Sequence, residues 1–270
     1  MHSSVISHLY TYPIKSTIGQ SLNSSAVMAR GLEYDRQWGV FDKDGVAMTG
    51  RVFPDLLKIS TAVSDGNLVL SIGAEQLFSI PLYLSNENRQ PVRIFSGRTE
   101  GMLVSQAIDE WFSDFLKTPC QFLHINQECH RPVLAKHGGK EEDTVNFADQ
   151  CPVLLLSEVS LSDLNNRLAD PISHRNFRPN IVVSGHLPYE EDQWRKIRLG
   201  ECVFEVNQPC ERCVFTTIDP DTYQKNPDQE PLRTLATYRR NASGGPIFGI
   251  HLTPRELGNI QVGDRLEIID

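Results

Sequence analysis

Two stretches in the C-terminal half of this chain share one pattern. Ile197-Arg198-Leu199-Gly200-Glu201-Cys202-Val203-Phe204-Glu205-Val206 and Ile260-Gln261-Val262-Gly263-Asp264-Arg265-Leu266-Glu267-Ile268 each read as an alternating run, a glycine-acid turn and a second alternating run. Alternation with period two gives a strand one apolar face, and a glycine supplies the positive φ of a tight reversal. Each stretch therefore predicts a hairpin. Two such one-faced hairpins point to a closed or nearly closed β-barrel, because closure covers the apolar faces and removes exposed edges. The likeness between them is short and reflects shared hairpin chemistry rather than duplication.

The N-terminal part is also built of short β-prone runs. Ser3–Tyr10, Gln37–Asp42, Leu68–Ile72 and Val92–Phe95 are set off by Gly, Pro, Asn and Asp, which predicts an antiparallel barrel or sandwich. From Ser105 to Leu116, Ala107, Ile108, Trp111, Phe112 and Phe115 recur at helical spacing, so an amphipathic helix with core-packing aromatics is expected there. Gln127 to Thr144 has little apolar periodicity and reads as a loop or crossover, with His130 and His137 as solvated loop residues within possible reach of a ligand. Val153 to Leu156 is an apolar run, and Ser157 is placed to cap a helix from Glu158 to Leu168. The expected organisation is a β-rich α+β protein: an N-terminal β module over 1–100, a helix and crossover over 101–145, and a β-barrel over 146–270.

Composition excludes some partners. Thirty-four acidic residues against 26 basic ones give a formal net charge of −8, which disfavours nonspecific attraction to nucleic acid or anionic lipid. Met1 to His8 lacks a basic segment followed by a long apolar one, and no apolar run approaches the roughly 20 residues a bilayer requires. Six cysteines without a dense spacing suit a reducing compartment, so a cytoplasmic protein is expected.

Chemistry is concentrated in Cys210-Glu211-Arg212-Cys213, between a strand-like run and the β-branched Val214 to Ile218, which reads as another strand. A thiolate there would be a soft metal ligand, and Arg212 beside it would favour the deprotonated form. Structural zinc needs two further ligands at short spacing, yet Cys120, Cys129 and Cys151 are isolated and His251 has no nearby companion. A thioredoxin-like pair should open a helix after a βαβ pattern, which is not the local pattern here. Spacing alone leaves a metal-binding cysteine and a buried structural one both open.

The segment Cys210-Glu211-Arg212-Cys213-Val214-Phe215-Thr216-Thr217-Ile218-Asp219-Pro220-Asp221-Thr222, with Glu230-Pro231-Leu232-Arg233-Thr234-Leu235, resembles the signature of MOSC-domain molybdenum proteins. Tyr12-Pro13-Ile14-Lys15-Ser16 and Gly31-Leu32-Glu33-Tyr34-Asp35-Arg36-Gln37-Trp38 resemble the family's N-terminal β-barrel module. Phe147-Ala148-Asp149, Leu155 to Leu161 and Asn176-Phe177-Arg178-Pro179-Asn180 to Gly185 resemble the start of the MOSC module. The blocks follow the family's order over nearly the whole chain, and within the family they resemble the amidoxime reducing components and bacterial reductases of N-hydroxylated bases.

The resemblance implies a MOSC N-terminal β module followed by a MOSC β-barrel, and a molybdenum cofactor (molybdopterin) whose metal takes one protein ligand, Cys213. It also implies that Lys15, Arg36 and Arg178 hold the pterin or its phosphate, with Asn180 and Arg212 close by. Cys210 matches a non-ligand position, and packing is its expected role. Asp149 matches an acidic position near the metal, suited to orienting the cofactor or relaying protons, and Thr49 and Arg51 are further candidates for the cleft wall. The implied activity is two-electron reduction of N-hydroxylated compounds such as hydroxylamino bases or amidoximes. The Cys-x4-Cys-x2-Cys spacing of a plant-type iron–sulfur domain is absent, so electrons are expected from a separate ferredoxin or flavin reductase. Two alternatives are a noncatalytic carrier of molybdenum cofactor or sulfur, and a metal-free scaffold in which the cysteines only pack.

Overall fold

The computed structural model describes residues 4–83 and 88–270. Its centre is an eight-stranded sheet in the order Leu266–Ile268, Lys196–Leu199, Cys202–Glu211, Ile247–Glu256, Val153–Ser157, Ile181–Val183, Ile6–Thr11, Gln20–Leu22. The backbone amide of Ile6 donates to Asp264 and that of Leu266 donates to Ser4, both at 2.9 Å, which joins the first long strand to the last and closes the sheet. Inside it lie Leu9, Val153, Leu155, Ile181, Phe204, Ile250 and Leu252, all fully buried. Complete burial of such side chains is worth about 1.5–3 kcal/mol each.

The first of the two expected hairpins is present: Lys196–Leu199 pairs antiparallel with Cys202–Glu205 around Gly200. The second is not. Gly258–Gln261 pairs with Ser24–Met28, whereas Leu266–Ile268 pairs with Lys196–Leu199. The turn residues explain the divergence. Val262 donates to Asn23 and Gly263 to Ile6, so the turn is spent on joining two sheets rather than reversing within one. Alternation identified strands here but not their partners.

The N-terminal β module contains a four-stranded sheet, Trp38–Asp42, Cys120–His124, Gly97–Leu103 and Arg89–Ile94, and a three-stranded meander from Ile59 to Pro81. Of the strand expected from Ser3, Ser3 itself lies outside the described residues, and the strand runs Ile6–Thr11 within the central sheet. The two halves thus share strands. Helix α1 (Gln106–Leu116) is capped by the Ser105 side chain and buries Ile108 and Phe112, as its periodicity predicts, together with Leu116; Trp111 and Phe115 are half-buried against the same core, whereas Ala107 is exposed. Helix α2 (Glu158–Asn165) is capped by Ser157 but stops before Leu168, because the Asn165 amide binds both backbone groups of Ile172 and turns the chain away. Helix α3 is Leu232–Tyr238.

Val214–Thr217 is a 3₁₀ turn, correcting the strand expected there. Cys213 enters it extended, the Thr216 hydroxyl donates to Cys213 O at 3.0 Å and the Thr217 hydroxyl to Val214 O at 2.8 Å. These local bonds overcome the β propensity of the residues.

Gly249, at φ +74, lies where an added Cβ would be 2.2 Å from Leu156 Cδ2 and 2.7 Å from Leu155 O. Gly249→Ala should therefore destabilise the protein by roughly 1–3 kcal/mol. Urea unfolding measures this, and an unchanged midpoint would show that the strand accommodates a side chain there.

Candidate functional site

A cleft of about 390 Å³ gathers side chains from distant parts of the chain. Lys15, Arg36, Asp149, Arg178, Asn180, Arg212 and Cys213, each singled out from sequence, all line it. So do Arg51, Arg131, His137 and His251, whereas Thr49 and His130 are not among its lining residues. Seven lysines and arginines face it against two acids, a local reversal of the chain's net charge of −8.

The turn around Asp35 builds one wall. Asp35 is 1% exposed, and its carboxylate accepts from Tyr12 N at 2.9 Å, Asn180 Nδ2 at 2.9 Å and Arg36 Nη1 at 2.6 Å. Arg36 and Arg178 lie over the Tyr12 ring, each with its guanidinium carbon 4.2 Å from the centroid. An aromatic face lets two like charges lie close together by attracting both. Arg178, at φ +56, donates from Nη1 to Thr17 O at 2.7 Å, and burial lowers it to about 10, so it stays charged at neutral pH. Asn180 spends its side chain on Tyr10 O, Asp35, Leu154 N and Arg36, which makes it the part that orients Arg36.

The floor is the loop after Phe147. Lys15 Nζ donates to Phe147 O at 2.9 Å and pairs closely with Asp149. Arg51 Nη2 reaches the other Asp149 oxygen at 3.1 Å. Arg131, which the sequence does not mark as a site residue, is 3% exposed and donates to Asn146 O, Ala148 O and Asp149 O, which fixes the loop. Its signal in the sequence was hidden within a polar loop of no clear period. Burial raises Asp149, but Lys15 and Arg51 outweigh it and hold the carboxyl at about 2, although the side chain keeps 42% of its surface open to the cleft. A carboxylate of that acidity is ionised at neutral pH, so its part is charge and orientation. Burial lowers Lys15 to about 8 against the pull of Asp149.

The third wall carries the thiols. Cys213 is half-buried at the end of the extended segment, where the 3₁₀ turn begins. Arg212 does not turn toward it. Its guanidinium donates to Cys210 Sγ at 2.8 Å and to Phe177 O at 2.6 Å, so the neighbouring thiol whose ionised form it favours, against the burial that raises it, is Cys210. Cys210 is 5% exposed and packs with Phe177, Leu235 and Phe248, the packing role expected of it. His251 is buried with Nδ1 unpartnered among the described residues, and burial pushes it down to about 3, so the ring is neutral. Gly50 brings the Arg51 loop against this wall: a Cβ there would be 2.5 Å from the Phe215 ring.

The MOSC domain model matches residues 142–267 and the MOSC N-terminal beta barrel domain model matches 3–119. The chain belongs to the MOSC family. It is 34% identical to mitochondrial amidoxime reducing component 2 of Bos taurus over 96% of this chain and 81% of that protein. It is 33% identical to mitochondrial amidoxime-reducing component 1 of Homo sapiens over 98% of this chain and 82% of that protein. Molybdenum cofactor sulfurase of Oryza sativa is 31% identical over 91% of this chain but only 32% of its own length. This MOSC protein is thus related along almost its full length to the amidoxime reducing components.

Because Lys15 loses its proton as pH rises through about 8, the cofactor-free cleft should bind sulfate, whose own charge is constant over this range, several-fold more weakly above that pH. Lys15→Met should bind weakly at every pH and lose the inflection. Titration calorimetry from pH 6.5 to 9.5 measures this, and an equally steep decline in the variant would assign it to another group.

Proposed function

We propose that the cleft of this MOSC protein holds a molybdenum cofactor and that the protein reduces N-hydroxylated compounds with electrons from a separate donor. One observation carries the reading: a half-buried thiol, Cys213, shares a cleft with a dense set of fixed cations. A soft sulfur ligand suits a transition metal, and planar arginine forks suit phosphate.

The donor set fits such a group. Among the described residues no three His, Cys, Asp or Glu side chains are grouped to hold a metal ion, so a metal at Cys213 would have to bring its other ligands with it. A pterin dithiolene does so. Buried donors at Arg178 Nη2 and Arg212 Nε have no partner among the described residues, and an anionic group would supply acceptors at that wall. Arg36 and Arg178 would hold the anionic part, Lys15 and Arg51 would add charge beside Asp149, and Cys213 would hold the metal.

When bound, the cofactor would supply the two-electron chemistry. Reducing R–NH–OH to R–NH₂ and water consumes two electrons and two protons. The chain's own residues hold and orient the reactants. Asp149, fixed between Lys15 and Arg51, keeps one negative charge at a set place on the floor. The electron donor is proposed to be a ferredoxin or a flavin reductase, and the setting the cytoplasm. No helix among the described residues is long and apolar enough to cross a membrane.

Protein loaded with cofactor and supplied with reduced methyl viologen should convert benzamidoxime to benzamidine. Cys213→Ser should keep its thermal midpoint and fall to background turnover. Full activity in that variant would remove the thiol from the site. Bound molybdenum in the wild type without turnover would instead favour a cofactor carrier.

A further inference from the structure

A second feature of the cleft is an aromatic side chain where turn chemistry does not call for one. Arg89–Ile94 and Gly97–Leu103 pair antiparallel, with Ile94 opposite Gly97, so Phe95 and Ser96 form a two-residue loop. Phe95 is at φ +52 while Ser96 is not among the positive-φ residues, the pattern of a turn whose first loop position favours glycine. A bulky side chain in the left-handed region is strained. Burial does not offset that strain, because Phe95 keeps 53% of its surface exposed.

The ring is nonetheless held in a defined setting. Phe95 and Ser96 both line the cleft. The Arg51 guanidinium carbon lies 4.3 Å from the Phe95 ring centroid, and the same guanidinium reaches Asp149 on the floor at 3.1 Å. Lys136 Nζ donates to the Ser96 hydroxyl at 3.1 Å, tying the turn to the facing loop. The cleft wall thus carries a flat apolar surface anchored through one arginine to the carboxylate beneath it. Arg51 covers part of the ring and the rest is open.

We infer that Phe95 is a specificity-determining residue whose ring stacks on planar, conjugated substrates as their N-hydroxyl group enters the cleft. Aliphatic N-hydroxylated compounds gain nothing from this plate. The inference rests on the N-reductase reading for the chemical class of the ligand, and on the turn geometry for the preference within that class. Offset stacking of two rings adds to what surface burial alone provides, enough to shift affinity by about tenfold in favour of a ring over a methyl group.

The test compares benzamidoxime with acetamidoxime, neutral compounds that differ by a ring against a methyl group. Binding is measured first, on cofactor-loaded protein without reductant, for wild type, Phe95→Gly and Phe95→Leu. Wild type should bind benzamidoxime about tenfold more tightly than acetamidoxime. Phe95→Gly should bring that ratio near one, leave the acetamidoxime Kd in place, and keep or raise the thermal midpoint because glycine relieves the turn. Phe95→Leu, apolar but without a ring, should fall between. An undiminished ratio in Phe95→Gly, or an equal loss for both compounds, overturns the inference. Turnover is then measured with reductant: ring-dependent binding without turnover of either compound would remove the N-reductase reading and leave the plate standing.

Discussion

The buried carboxylate of Asp35 is the knot on which the site depends. It joins the end of the first barrel strand through Tyr12, the cationic wall through Arg36, and the entry to the Ile181–Val183 strand through Asn180. Its own backbone carbonyl accepts from Asn146 Nδ2 at 2.9 Å, while Arg36 O accepts from Phe147 N at 2.8 Å. One turn therefore sets the wall and the start of the floor together. A buried charge is tolerated only when its lone pairs are well used, and here each use is also a positioning bond.

That arrangement explains how an acidic protein presents a basic cleft. The arginines are not free surface charges that solvent would screen. Arg36 and Arg178 share the Tyr12 ring, Arg131 is spent on three loop carbonyls, and Arg212 is held by Phe177 O and Cys210 Sγ. Fixed donors need little reorganisation when an anion arrives, which is the physical advantage of building the cleft from short positive-φ turns such as those at Arg36 and Arg178. Asp149, the acid on the floor, meets two further cations, Lys15 and Arg51, and they keep it charged.

Much of this was legible in the chain itself. Periodicity located α1 and the Lys196–Leu199 hairpin because both bury a single face. The family blocks brought together Lys15, Arg36, Asp149, Arg178, Asn180, Arg212 and Cys213, which now line one cleft. Partner choice was not legible: Ile260 to Ile268 has the pattern of a hairpin, yet its two strands enter different sheets, since alternation specifies a face and not a neighbour. The 3₁₀ turn after Cys213 was hidden because threonine hydroxyl bonds depend on local geometry that β propensity does not encode. Arg131 and Phe95 were missed for a similar reason. Each owes its place to a long-range contact, with the loop after Phe147 in one case and with Arg51 in the other.

The central claim is that the cationic walls and Cys213 together hold one molybdenum cofactor. It is tested most directly by measuring molybdenum and pterin per chain in protein purified from cells that make the cofactor, beside an Arg36→Met, Arg178→Met double variant of unchanged secondary structure. The account predicts near-stoichiometric metal and pterin in the wild type and a loss of both in the variant. Wild-type protein that carries neither and cannot be reconstituted, or a double variant that retains both in full, would contradict it.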